Sequence, residues 1–162
     1  MKNLIIYYSL EGNTKFIARK IARKTESKLL AINPLNDLNP DSFTRYIKGC
    51  FQALFRYKPA LQEFKVQNNK YDTIFIGTPV WCNQMSPAVR SFLISNHIEV
   101  KNYALFCTYK IDKGITLKQM KKYLPEQKII GKQSFKTPLK NKEKVEIKID
   151  KWLNRINKNN HT

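Results

Sequence analysis

The chain is poor in the side chains from which many small enzymes assemble a catalytic or metal centre. Its 162 residues include only two histidines, His97 and His161, and three cysteines, Cys50, Cys82 and Cys107. With so few soft ligands a structural zinc site is not expected, and a Ser-His-Asp hydrolase would have to rest on His97 alone. The cysteines are odd in number, widely spaced and without a Cys-x-x-Cys pair, which argues against both a disulfide framework and a redox dithiol. No apolar run approaches the roughly 18 residues of a membrane span, and the start lacks the basic, apolar and small-residue zones of a signal peptide. The expectation is a cytoplasmic protein without membrane insertion.

Acidic residues are also scarce. Twelve Asp and Glu face 30 Lys and Arg, a formal charge of +18. Such a balance invites a nucleic-acid reading. Two details argue against it: 24 of the 30 basic residues are lysine, whereas base readout favours the planar fork of arginine, and they are spread along the chain. A solvated basic surface, able to attract an acidic partner or anionic substrates, is the reading that remains.

What is present is a regular alternation. Strands are expected over 2–8, 28–33, 73–78, 103–108 and 128–135; the first, third and fourth are apolar runs of the kind buried on both faces. Helices are expected over 13–25, 86–95, 116–123 and 142–157, with apolar residues at helical spacing. This alternation predicts a parallel sheet with helices on both faces, formed by residues 1–162 as one domain. The stretch 40–67 is longer than a crossover needs and carries Phe43, Tyr46, Phe51, Phe55 and Tyr57. One amphipathic helix is expected there with its rings packed on the sheet, the alternative being that part of the stripe roofs a ligand or forms a dimer face.

Two motifs carry chemistry. Ser9-Leu10-Glu11-Gly12-Asn13-Thr14 lies between the first strand and the first helix. Free backbone N–H groups and the helix dipole favour an anion at such a turn; Gly12 permits close approach, and Ser9, Asn13 and Thr14 can donate hydrogen bonds. The second, Thr78-Pro79-Val80-Trp81-Cys82-Asn83, follows the third strand. It puts an indole suited to stacking on a flat heterocycle at the carboxyl edge of the sheet, where open α/β sheets bind ligands. Thr78 is expected to donate to a carbonyl or a ribityl hydroxyl, and Cys82, a lone cysteine beside tryptophan, is read as a packing residue.

Together these motifs resemble the flavodoxin family. The resemblance implies a flavodoxin-like three-layer sandwich, a five-stranded parallel sheet of order 2-1-3-4-5, and FMN at its switch point. It assigns the phosphate to Ser9, Leu10, Glu11, Gly12, Asn13 and Thr14, and the flavin ring to Thr78, Pro79, Val80 and Trp81, with backbone near Cys82 and Asn83. A third loop maps onto 108–114, where Thr108, Tyr109 and Gly114 would close the opposite side and Tyr109 would offer a second ring. The chain departs from the family pattern in three respects. Glu11 stands where many members have Ser or Thr, so its carboxylate either turns away or weakens binding. Cys82-Asn83 replaces a glycine that often follows the ring-stacking residue. Family members are also usually acidic. The implied function is electron transfer to a redox partner protein, acidic by charge complementarity, or to a small-molecule acceptor. The alternatives are a small NAD(P)H-dependent FMN or quinone oxidoreductase on the same fold, and a cofactor-free basic binding module.

Overall fold

The computed structural model describes residues 2–39, 41–42, 44–63, 66–67, 70–96 and 98–159. Phe43, His97 and His161 therefore lie outside the described residues. Along the chain come β1 (Asn3–Tyr7), α1 (Asn13–Thr25), β2 (Lys28–Ala31), α2 (Arg45–Leu54), β3 (Thr73–Trp81), β4 (Gln84–Met85) and α3 (Pro87–Ser95). They are followed by β5 (Asn102–Tyr109), α4 (Thr116–Lys121), a short 3-10 turn, β6 (Ile129–Lys136) and α5 (Lys142–Asn159).

The sheet runs β2-β1-β3-β5-β6 with every neighbouring pair parallel. This is the expected 2-1-3-4-5 order, with β4 added as a two-residue antiparallel arm on β3. Side chains alternate across the pleat, so the central strands β1, β3 and β5 each feed two cores. On one face Leu4, Ile6, Ile74, Ile76 and Leu105 pack with Val89, Phe92 and Met120 from α3 and α4. On the other Ile5, Phe75, Phe106 and Phe135 pack with Ile17 and Ile21 of α1 and Val145, Ile149, Trp152 and Ile156 of α5. Trp152 meets Phe75, Phe106 and Phe135 edge to face, with ring centroids 5.9, 6.4 and 6.3 Å away. Lys20 and Lys24 of α1 pair with Glu146 on α5 at 2.8 and 3.3 Å, at the polar margin of that core.

Two expectations are corrected. β3 continues past Thr78 to Trp81 and turns back on itself through Cys82 and Asn83, whose φ values of 45° and 62° supply the positive-φ pair that a tight two-residue hairpin requires. The rings of α2 do not pack on the sheet. Its buried face is Gly49 and Ala53, and Tyr46, Phe51 and Phe55 are 52%, 59% and 75% exposed. Among the described residues no helix is long and apolar enough to cross a membrane.

Candidate functional site

β1 and β3 are adjacent, yet the chain leaves β1 toward β2 on one side and leaves β3 toward β5 on the other. Connections diverging from neighbouring strands leave a crevice at the carboxyl edge of the sheet. A cavity of about 300 Å³ occupies it, walled by the segments around Ser9, Trp81 and Tyr109 and roofed by α2.

The first wall is the turn after β1. Ser9, Leu10, Glu11, Asn13 and Thr14 line the cavity. Gly12 does not; it is the residue that lets the chain enter α1, with φ 86° and its carbonyl accepting from the N–H of Phe16 at 2.9 Å. A β-branched residue would be strained there. Thr14 is fully buried and its hydroxyl bonds that of Thr108 at 2.8 Å, tying the start of α1 to β5. The Ser9 hydroxyl is buried at the cavity wall and has no partner among the described residues. A buried hydroxyl left without a bond costs on the order of 1–3 kcal/mol, so it marks a place where a ligand acceptor fits.

The second wall is the β3–β4 hairpin, with Pro79, Val80, Trp81, Cys82 and Asn83 facing the cavity. Thr78 lies inside the hairpin instead. Its hydroxyl donates to the carbonyl of Pro79 at 2.9 Å, accepts from the N–H of Ser86 at 3.1 Å and bonds the Ser86 hydroxyl at 3.1 Å. It fixes the hairpin and has no hydroxyl free to donate elsewhere. The indole of Trp81 meets Tyr8 edge to face at 5.7 Å. The third wall brings Thr108, Tyr109, Lys110, Ile111 and Asp112. Gly114 stands behind it against Asn83, whose carbonyl accepts from the N–H of Ile115 at 2.9 Å.

The roof is the part that sequence reasoning missed. Arg45, Tyr46, Gly49 and Cys50 of α2 line the cavity. Gly49 lets the helix pass directly over Trp81, where a Cβ would stand 3.2 Å from the indole. Arg90 of α3, 2% exposed, donates to the carbonyl of Ala53 at the end of α2 and to Gln84 of the hairpin, at 3.2 and 3.3 Å. Cys50 and Cys82 are joined in a disulfide, which overturns both the reading of Cys82 as a lone packing residue and the absence of a cysteine pair. The one signal for this roof was the aromatic density of 40–67, under the alternative that part of it roofs a ligand.

Glu11 also finds its explanation in the roof. Its carboxylate accepts from Arg45 at 3.2 Å, from Lys110 at 2.7 Å and from the Tyr46 hydroxyl at 2.8 Å. Burial pushes its pKa up, but the hydrogen bonds from Lys110 and Tyr46, the Lys110 charge and the Arg45 hydrogen bond outweigh that and hold it below the ordinary carboxylate value. The carboxylate therefore turns toward two cations, and Asp112 is the second acidic group of the lining.

With this geometry in view, the comparisons with known proteins are consistent. A family model described as flavodoxin matches residues 2–156, and the chain belongs to the flavodoxin family. The fold is similar to that of a flavoprotein in complex with FMN from Lactobacillus acidophilus, at 24% identity and TM-score 0.70 over 93% of this chain and 97% of that one. It is similar also to oxidised flavodoxin 2 from Bacillus cereus, at 17% identity and TM-score 0.61 over 98% and 99% of the two chains. A flavodoxin, WrbA-like protein from Agrobacterium tumefaciens matches at 15% identity and TM-score 0.56 over 98% of each chain. No curated protein matches the sequence.

The Glu11 cluster predicts a pH dependence. A carboxylate whose folded pKa is depressed contributes stability that is complete above its unfolded pKa and is lost as pH falls through the folded value. Glu11→Gln should therefore lower resistance to urea at pH 7, with the deficit shrinking toward zero as the pH is brought below the carboxylate range. Urea unfolding of both proteins at pH 7 and near pH 3 checks this; a deficit independent of pH would mean that the charge of Glu11 is not what holds α2.

Proposed function

We propose that residues 1–162 form a single domain that binds FMN in the cleft and serves as an electron-transfer flavoprotein. The observation that carries the reading is the Ser9 hydroxyl, buried without a partner among the described residues, at the mouth of a helix whose first N–H groups have no intrahelical acceptor. A phosphate fits both needs, and Arg45 and Lys110 line the same cavity as charged donors able to turn toward it. Asn13 and Thr14 complete the donor set at the turn, with Leu10 and Glu11 forming its outer wall.

Pro79, Val80, Trp81 and Tyr109 would enclose the flat ring, with the backbone of Cys82 and Asn83 near its polar edge. Trp81 is pre-positioned by Tyr8 and by the passage of α2 at Gly49, so stacking on it costs little ordering. Thr78 would act by bracing the hairpin, Thr108 through its bond to Thr14, and Gly114 by seating the third loop against Asn83. Bound FMN would supply the redox chemistry. The chain contributes position, exclusion of water and a positive field, and the +18 charge suits an acidic protein partner or an anionic small-molecule acceptor.

Two measurements test the reading. Trp81→Ala, losing stacking of about 1 kcal/mol or more, should weaken both FMN and riboflavin by several-fold. Gly12→Val should weaken FMN more than riboflavin, which has no phosphate to lose. Isothermal titration with each ligand checks both variants; an unchanged Trp81→Ala protein, or equal losses for Gly12→Val, would remove these residues from the assigned roles. For electron transfer, the positive field should make the two-electron midpoint potential less negative than that of acidic relatives, and salt should shrink the difference. Spectroelectrochemistry at low and high ionic strength decides; a very low potential indifferent to salt would show that the overall charge does not tune this flavin.

A further inference from the structure

The Cys50–Cys82 disulfide is unexplained by anything above. It joins helix α2 to the β3–β4 turn, with Cα atoms 5.3 Å apart, and both cysteines are half-buried and line the cavity beside Trp81 and Tyr109. Small domains that need a disulfide staple are those with too little core. This chain has a packed core on each face of its sheet, and neither cysteine belongs to them; the disulfide lines the site.

Nor is the bond the sole anchor of α2. Two other contacts hold the same two segments together, and a third ties α2 to the turn after β1. Gly49 lies against Trp81, Arg90 donates to both the Ala53 carbonyl and Gln84, and Arg45 and Tyr46 hold Glu11. The two sulfurs would thus remain neighbours when the bond is open, which is the condition for a pair that opens and recloses without unfolding. The surroundings suit thiol chemistry as well, since both cysteines face the cavity and are reached from it. Cys107 is the contrast: fully buried in β5, its thiol is pushed up to about 12 by burial, against the opposing charges of Lys113 and Lys148, and takes no part in exchange.

We propose that Cys50 and Cys82 are a second redox centre of this protein, a disulfide/dithiol pair that exchanges an electron pair with the flavin held in the same cavity. The inference rests on the FMN reading above. In the forward step the S–S bond accepts two electrons and two protons, breaks, and leaves one thiol on Cys50 and one on Cys82. The electrons come from two-electron-reduced FMN, which returns to its oxidised form and releases the protons, one being drawn from solvent when the reduced flavin is anionic. In the reverse step the dithiol is oxidised to the disulfide and reduces the flavin. The chain would then store about four electrons per FMN instead of two.

The test uses the full-length protein loaded with FMN, its flavin content read from visible absorbance before any reduction. The bound flavin is photoreduced anaerobically with EDTA, the sample is left in the dark, and the electrons returned to a titrated oxidant are counted. Thiols are counted by maleimide labelling in denaturant on a second portion of the reduced sample, taken before any oxidant is added. Wild type should return about four electrons per FMN, and its labelled thiols should rise from one, Cys107, to all three cysteines. Cys50→Ser should return about two electrons per FMN. FMN-free wild type under the same light should keep a single labelled thiol, since the flavin is the electron source. Two electrons and one thiol in FMN-loaded wild type would overturn the inference and leave the FMN reading standing. Failure to take up FMN at the outset would overturn both. The thiol count is made on the unaltered protein, so it decides even where a variant folds poorly.

Discussion

The structure depends on the parallel pairing of β1 with β3. In that register Tyr7 stands opposite Gly77, which brings the turn that begins at Ser9 level with the hairpin that begins at Pro79. Because the chain leaves these two strands toward opposite edges of the sheet, nothing fills the space between the two turns, and the cavity follows from the topology. Slipping the pairing by one residue would exchange the two faces of β1, sending Ile5 to the core now served by Leu4 and Ile6; two separate cores therefore enforce the register that makes the site. The hydroxyl bond between Thr14 and Thr108 extends the alignment to β5 and the third wall.

The roof is held differently from the rest of the fold. α2 buries little apolar surface, only Gly49 and Ala53, and is held instead by directional contacts: the Glu11 cluster at its start, the bond between Cys50 and Cys82 at its middle and Arg90 at its end. Such anchoring depends on charge and on redox state more than hydrophobic packing does. It also leaves Phe51 and Phe55 stacked on each other in solvent, beside the site.

The parts legible in the sequence were those governed by local rules. Apolar runs gave the strands of both cores, and the helix over 13–25 was found to the residue because a glycine entry and an amphipathic stripe define it. Most of the expected site residues line the cavity because loops at strand ends converge by topology once the strand order is known. The failures share a cause. Periodicity predicts a helix within 40–67 but not which face is buried, and the aromatic face suggested the wrong one since small residues, Gly49 and Ala53, were needed for close approach. Cys50 and Cys82 are 32 residues apart and meet only through the docking of that helix. Thr78 was given a ligand role because its hydroxyl's competition with Ser86 is a tertiary fact.

The central claim is that the cleft between the β1 and β3 turns is an FMN site whose ring is covered by Trp81 and Tyr109. Titrating the FMN-free chain into a fixed concentration of FMN while following flavin fluorescence tests it most directly, because stacking on an aromatic ring quenches that emission. The account predicts deep quenching that saturates at one chain per FMN and is markedly weaker in Trp81→Ala. Flavin emission that stays constant as protein is added, or quenching unaffected by that substitution, would contradict it.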